Sequence, residues 1–194
     1  AAGAHVLAIA RRTDELRRVT DALGAGGARV VPLALDVAAA DAPARIVATA
    51  LGELGGIDLL INNAGMHARG PFADQDPAAL AAMVDVNLRA PIALTRHALP
   101  HLIAQRGAVV NVASLAGKVP TAGGVVYSAT KFGLRAFSMA LADELRGTGV
   151  TVSCVSPGPV DTQFIMAELD TVSDLTMSQP LVTADEVAAL IVAS

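Results

Sequence analysis

Several residue types are scarce in this sequence of 194 residues. It has one cysteine, no tryptophan and only 3% aromatic residues. A single cysteine excludes a disulfide framework within the chain, which is typical of proteins from a reducing compartment, so a cytoplasmic location is expected. No uncharged apolar run reaches the roughly 18–20 residues of a membrane helix, so no contact with a membrane is predicted. With so few aromatic residues, the core must be built from aliphatic side chains.

Positive charge is also limited, with 14 Lys and Arg against 18 Asp and Glu and a net charge of −4. This balance argues against a nucleic-acid partner, because such proteins neutralise phosphates with a basic surface. No metal site is predicted either, since His97 and His101 stand four residues apart without a companion ligand. The abundant component is apolar, at 53% hydrophobic residues. Together with the length, it predicts a single domain over residues 1–194.

Short apolar runs alternate with longer amphipathic stretches. The predicted strands are His5–Ala10, Arg29–Leu35, Ile57–Ile61, Ala108–Ala113 and Val150–Val155. The predicted helices are Asp14–Leu23, Ala44–Leu54, Pro77–Val84, Asn87–Gln105, Val126–Arg146 and Ala184–Val192, with a kink or restart at Pro91. Residues 163–183 lack periodicity and are predicted to form a lid-like connection.

This alternation predicts the fold class. Strands that are apolar throughout are expected to be buried on both faces, and helices between them give parallel βαβ units. The expected fold is α/β, a doubly wound (Rossmann) parallel sheet flanked by helices on both faces. In such a sheet, ligands bind at the carboxyl ends of the strands.

The chemistry is concentrated in one helix, where Tyr127 and Lys131 lie four residues apart and therefore on one face. A tyrosine has a pKa of about 10, and a neighbouring cation lowers that pKa. The pair can then exchange a proton with an alcohol or carbonyl oxygen near neutral pH. Taken alone, the same spacing also fits a solvated lysine beside a packed tyrosine.

Three further segments follow predicted strands. Ser114 ends one strand, Asn62-Asn63-Ala64-Gly65 follows another, and residues 157–162 (PGPVDT) follow a third. Each could be an ordinary turn or loop. Because the carboxyl ends of parallel strands meet at one edge of a sheet, we expect these segments to line one crevice.

Six motifs occur in order along the chain: Leu35-Asp36-Val37, N-N-A-G at 62–65, Val86-Asn87, Asn111-Val112-Ala113-Ser114, Y-S-A-T-K at 127–131 and P-G-P-V-D-T at 157–162. With these motifs the chain resembles the short-chain dehydrogenase/reductase family. The resemblance implies an NAD(P)-dependent oxidoreductase that acts on a small-molecule carbonyl or alcohol. It implies Tyr127 as acid–base, Ser114 as the group that holds the substrate oxygen, and Lys131 as the residue that lowers the Tyr127 pKa and binds the nicotinamide ribose. Asn87 would bind a water that links Lys131 to solvent.

The resemblance also implies the residues that hold the cofactor. Asp36 and Val37 would line the adenine, while Asn63, Ala64 and Gly65 would flank the adenosine. The nicotinamide side would be contacted by Pro157, Gly158, Val160 and Thr162, together with Tyr127 and Lys131.

The strand His5–Ala10 indicates which cofactor is preferred. An acidic residue at its end would select NAD(H), but Ala10 stands there and is followed by Arg11 and Arg12. Guanidinium groups bind phosphate bidentately. The expected cofactor is therefore NADP(H), and NAD(H) is less favoured. Arg11 is expected to be the main determinant of this preference and Arg12 a secondary one.

The glycine-rich phosphate loop of the family is not found in the sequence. We therefore expect that at least one strand and a glycine-rich turn precede Ala1, and that the chain continues beyond Ser194. A homodimer or homotetramer through the helices 87–105 and 126–146 is also expected, because these helices carry more apolar residues than one buried face needs. These residues include Ile92, Leu99, Leu134, Phe137 and Leu141. The alternative function is a catalytically silent dinucleotide-binding or scaffolding protein on the same fold.

Overall fold

The computed structural model describes residues 3–25, 27, 29–161 and 180–193. These residues form five strands: β1 (Val6–Ala10), β2 (Val30–Ala34), β3 (Leu59–Asn62), β4 (Ala108–Val112) and β5 (Thr151–Val155). The α-helices of the same residues are α1 (Thr13–Ala25), α2 (Ala42–Leu54), α3 (Pro77–Val84), α4 (Ala90–Gln105), α5 (Val125–Glu144) and α6 (Ala184–Ala193). The alternating α/β order predicted from the sequence is confirmed. Most boundaries agree with it to within two residues.

The strands form two parallel sheets, with the orders β1-β2 and β3-β4-β5. Pro32 is accommodated inside β2 because its ring nitrogen faces the free edge. Leu35 donates its N–H to Ala10 at 3.0 Å, so odd-numbered residues of β2 point their N–H groups at β1. No backbone hydrogen bond among the described residues joins β1 to β3. The further strand expected before residue 1 stays a prediction.

The helix after β3 is continuous over residues 77–105 but changes its geometry in the middle. Asp76 caps its start by accepting hydrogen bonds from the N–H groups of Ala78 and Ala79. Asp85–Arg89 form a π-helical turn, in which Ala90 donates to the carbonyl of Asp85, five residues back. Pro91, two residues after this turn, has no N–H to donate. The restart expected near Pro91 corresponds to Ala90, where α-helical geometry resumes, whereas the π segment before it was not predicted.

Two apolar clusters fill the space between the sheets and the helices. One joins Ala98 and Leu102 of α4 to Val109 of β4, with Leu145 and Val150. The other joins Ala42 and Ile46 of α2 to Leu94 of α4, and Leu7 and Ile9 of β1 pack against it. Leu60 of β3 contacts both clusters, so the two sheets share one core.

The helix over 77–105 is also long and apolar enough to cross a membrane, by length and composition alone. This helix contains no uncharged run of membrane-spanning length, because Asp85, Arg89 and Arg96 interrupt its apolar sequence. Since Leu94 and Leu102 are buried in the two clusters, this segment is placed as a core helix.

The expectations for strand burial and for the predicted connection at 163–183 differ in how far the structure tests them. Burial of the apolar strands on both faces is wrong for β3, where Leu59 is 49% and Ile61 43% exposed. Only Leu60 and Asn62 point towards the core, because no described element covers the other face of this strand. Burial on both faces is also wrong for β1 and β2, since neither strand contains a fully buried residue. Most of the lid-like connection predicted at 163–183 lies outside the described residues.

Candidate active site at the carboxyl edge of the strands

Parallel pairing brings the predicted segments to the carboxyl ends of their strands, as expected. Gly65 follows β3, Ser114 follows β4, and Pro157 follows β5. The loops after β4 and β5 are joined directly, since Leu115 donates its N–H to the carbonyl of Pro157 at 2.9 Å. The first turns of α5 face these loops and supply Tyr127 and Lys131.

Ser114, Tyr127 and Lys131 form the centre of the site. Tyr127 is 9% exposed, and its hydroxyl is hydrogen-bonded to that of Ser114. Lys131 is 4% exposed, and its ammonium Nζ lies 5.7 Å from the centroid of the Tyr127 ring. The same Nζ donates a hydrogen bond of 2.9 Å to the carbonyl of Val112, at the end of β4. Ser114 is itself oriented by the N–H of Ala116, which donates to its Oγ at 3.2 Å.

Burial dominates the electrostatics of these side chains. It raises the pKa of Tyr127, while the hydrogen bond to Ser114 and the positive charge of Arg69 lower that pKa. Burial also lowers the pKa of Lys131 from 10.5 to about 8. Tyr127 is therefore protonated at neutral pH, and Lys131 is a cation that can release its proton close to neutrality.

Asn87 is completely buried in the π segment and holds the loop after β3. Its Oδ1 accepts from the N–H of Met66 at 2.8 Å, and its Nδ2 donates to the carbonyl of Met66 at 2.9 Å. The same Nδ2 also contacts Thr130 Oγ1 at 3.3 Å, next to Lys131 on α5. The side chain is thus fully engaged, and Pro91 lacks the N–H that would bond to the Asn87 carbonyl in a regular α-helix. The water expected at Asn87 stays a prediction.

A buried polar network lies beneath the site. Asn62 donates from Nδ2 to Asn111 Oδ1 at 2.8 Å and to Thr95 Oγ1 at 3.1 Å. Asn111 donates to Ser138 Oγ at 2.8 Å, and Ser138 donates to the carbonyl of Leu134 at 2.7 Å. The network connects β3, β4, α4 and α5, so it fixes the positions of the elements that carry the site.

Replacing Asn111 by alanine is expected to lower the free energy of unfolding by about 2 kcal/mol, because buried partners lose their hydrogen bonds. Chemical denaturation followed by far-ultraviolet circular dichroism measures the change. Thr49→Ala, which removes an exposed hydroxyl bonded to the Arg45 carbonyl, is the matched control and should change stability little. Equal stability of the two variants would contradict the structural role of the network.

The residues predicted to bind the adenosine end lie after β1 and β2. Arg11 is exposed, and its side chain forms no ion pair within the described residues, whereas Arg12 pairs with Glu15 at 2.8 Å. Asp36 is exposed and accepts the N–H of Ala38, while Val37 is half-buried. Arg89 of the π segment reaches this loop and donates to the Ala38 carbonyl at 2.7 Å.

The backbone of Gly65 leaves open space beside Asn87 and Lys131, as a close approach by a cofactor would require. Asn63, Ala64 and Gly65 are exposed, although buried polar groups lie directly behind them. A Cβ atom at Gly65 would stand 3.5 Å from Asn87 Oδ1 and 3.8 Å from Lys131 Nζ, so any side chain there would enter this space.

The segment after β5 completes this edge. Gly158 lies against Leu115, and Val160 forms an isolated parallel bridge with Val182. Thr162, predicted to contact the nicotinamide side, lies outside the described residues.

Two residues at the site were not predicted from the sequence. His67 stacks on the Tyr127 ring with centroids 4.1 Å apart. Arg69 is half-buried, and its charge lowers the pKa of both His67 and Tyr127. Their only signal in the sequence is that they follow Gly65 closely.

The chain is similar to several known proteins. The sequence profile of the family described as short chain dehydrogenase matches residues 1–172. A short chain dehydrogenase from Pseudocercospora fijiensis is 38% identical over 166 residues, which cover 84% of this chain and 54% of that protein. A serine 3-dehydrogenase from Agrobacterium fabrum is 34% identical, with 96% of this chain and 76% of that protein covered. The chain thus spans about half the length of the first of these relatives.

A solved structure of a metagenomic short-chain oxidoreductase in complex with NADP also resembles the chain. It has 36% sequence identity and a TM-score of 0.76, with 94% of this chain and 86% of that chain covered.

Proposed function

Since the chain belongs to the short-chain dehydrogenase family, we propose that it is an NADP(H)-dependent oxidoreductase that interconverts a carbonyl compound and the corresponding alcohol. The observation that carries this proposal is the contact between the hydroxyls of Tyr127 and Ser114 beside the buried ammonium of Lys131. A scaffolding protein would not need these polar groups to be buried together, and their burial costs free energy.

The side chains have separate roles in the proposed reaction. The cofactor, when bound, supplies or accepts the hydride. Tyr127, protonated at neutral pH because burial raises its pKa, donates its proton to the carbonyl oxygen during reduction. Ser114 donates a hydrogen bond to the same oxygen as negative charge develops there.

Lys131 and Asn87 would restore the proton. Lys131, whose pKa of about 8 suits proton exchange near neutrality, would return a proton to Tyr127 after reduction, while the charge of Arg69 favours the phenolate. A water held by the Asn87 carbonyl would connect Lys131 to solvent. In alcohol oxidation the same groups work in the reverse direction.

The preference for NADP(H) is supported by the exposed Arg11 after β1 and by the absence of an acidic residue at Ala10. The related metagenomic oxidoreductase was solved with NADP. The ion pair between Arg12 and Glu15 supports Arg11 as the stronger determinant, because Glu15 already neutralises Arg12. The single cysteine favours a cytoplasmic protein.

The proposal is tested with a panel of ketones, aldehydes and β-keto acids, with NADPH or NADH, followed at the absorbance of the reduced nicotinamide. We expect turnover with at least one carbonyl class and a preference for NADPH. Tight cofactor binding without turnover on any class would favour the silent dinucleotide-binding alternative.

We also propose that the chain forms a homo-oligomer through α4 and α5. The sequence assigned Leu134 to this interface, which is wrong, since Leu134 is 1% exposed and belongs to the core. The large apolar residues that α4 and α5 do present to solvent are Ile92, Ile103, Val125, Phe132 and Met139, exposed by 39%, 39%, 52%, 38% and 56%. Phe132 and Met139 lie two turns apart on one face of α5, which suits an isologous contact.

Met139→Asp is expected to dissociate this oligomer, because the substitution would bury an unpaired charge at the contact. Multi-angle light scattering at micromolar concentration measures the mass. Val19→Asp, at an exposed apolar residue of α1, is the matched control and should leave the mass unchanged. A wild-type protein that is monomeric, or a Met139→Asp protein of unaltered mass, would contradict the proposed interface.

A further inference from the structure

His67 is held against the first turn of α5. Its imidazole stacks on the Tyr127 ring, with centroids 4.1 Å apart and planes inclined by 28°. On another side it meets Gly124, where a Cβ atom would stand 3.6 Å from Nε2 and 3.7 Å from Cε1. Gly124 and Tyr127 are three residues apart at the start of one helix, so the imidazole covers a single face of that turn.

The loop that carries His67 is tied down at both ends. Asn87 binds both backbone polar groups of Met66, immediately before His67. Gly70 donates its N–H to the carbonyl of Gly123 at 3.1 Å, and Gln75 donates to the Gly70 carbonyl at 2.7 Å. The imidazole therefore reaches Tyr127 from a loop anchored to the π segment and to the residues before α5.

The surroundings keep this imidazole neutral. Burial, together with the positive charges of Arg69 and Lys131, lowers the pKa of His67 from 6.5 to about 4, against the opposing effect of a backbone hydrogen bond with Ala68. A neutral ring adds no charge beside the phenol of Tyr127. Its contribution is therefore the contact surface of an aromatic ring.

We propose that His67 is a positioning residue for Tyr127: its ring, packed between the phenol and Gly124, fixes the phenol plane and so the direction of the hydroxyl towards Ser114. The role in turnover rests on the proposed oxidoreductase function. The positioning itself is a property of the free protein. The essential contact is the stacking of the His67 ring on the Tyr127 ring. An aromatic residue in place of His67 should therefore preserve the positioning, and an aliphatic residue should not.

The chain makes a direct test possible, because Tyr127 is its only tyrosine and tryptophan is absent. Near-ultraviolet circular dichroism in the tyrosine band therefore reports on Tyr127 alone. We would compare wild type, His67→Ala, His67→Phe and the control His5→Ala, which changes an exposed histidine before β1. The kcat and KM values of the four proteins would be measured in parallel.

The expected result is a clear loss of the tyrosine signal in His67→Ala, with kcat lowered about three- to tenfold and KM changed less. His67→Phe should restore both signal and kcat, and His5→Ala should match wild type. An unchanged tyrosine signal in folded His67→Ala would overturn the proposal, and so would a His67→Phe protein with the defect of the alanine variant. If wild type lacks activity, the proposed function fails, while the tyrosine signal still decides whether His67 positions the ring.

Discussion

Replacing Tyr127 by phenylalanine is expected to reduce turnover by about 10²–10⁴-fold, the usual contribution of a general acid–base group. The substitution keeps the ring that stacks on His67 and removes only the hydroxyl that contacts Ser114. Folding should survive, because the buried volume is almost unchanged. Steady-state kinetics with NADPH and the best carbonyl substrate measures the effect.

The matched control for this variant removes a hydroxyl elsewhere. Thr49→Ala deletes an exposed side-chain hydrogen bond on α2, remote from the site, and should keep full activity. The cofactor affinity of Tyr127→Phe should stay within a few-fold of wild type, which separates a catalytic defect from a binding defect. Turnover close to wild type in folded Tyr127→Phe would rule out this residue as the acid–base.

Replacing Arg11 by alanine is expected to weaken NADP(H) binding by about ten- to a hundredfold, because charge-assisted hydrogen bonds contribute roughly 1.5–3 kcal/mol. The affinity for NAD(H), which lacks the 2′-phosphate, should stay nearly constant. Arg11 is suited to this role because it is exposed at the end of β1 and its side chain forms no ion pair within the described residues. Fluorescence titration with NADPH and NADH measures both affinities.

Two further arginines serve as controls for this effect. Arg12→Ala should have a smaller effect on NADP(H), because Glu15 pairs with Arg12. Arg17→Ala removes an exposed cation farther along α1 and tests the general loss of positive charge. Equal weakening of NADPH and NADH by Arg11→Ala would show that the assignment of this residue to the 2′-phosphate is wrong.

The fold was predictable largely because its signals are local. Apolar β-branched runs gave β4 and β5 almost to the residue, and Gly55, which has a positive φ of 82°, marked the end of α2. The π turn at Asp85–Arg89 was not predictable in kind, since Pro91 indicates only that a regular helix is interrupted. The exposed face of β3 was not predicted, because the apolar sequence of a strand does not indicate which elements pack against each of its faces.

The part of the candidate site that could be predicted from the sequence is the part in which the spacing of residues along the chain determines which side chains meet. Tyr127 and Lys131 had to share a helix face, and the carboxyl ends of parallel strands had to meet. The expected effect of Lys131 on the Tyr127 pKa needs revision, because Arg69 is the cation that lowers it in this structure. Both Arg69 and His67 act across about 60 residues of sequence, a contact that no local pattern encodes. Leu134 was misassigned because periodicity does not distinguish a core face from an interface.

Hydride transfer between NADP(H) and a carbonyl carbon, with Tyr127 as proton donor, can be read from the mass of the product. A carbonyl substrate is incubated with the protein and with NADPH that carries deuterium at the transferable position of the nicotinamide. We expect an alcohol that contains one deuterium on the former carbonyl carbon, formed by wild type and almost absent with Tyr127→Phe. A folded wild-type protein that yields no deuterated alcohol from NADPH or NADH with any carbonyl class would contradict this expectation.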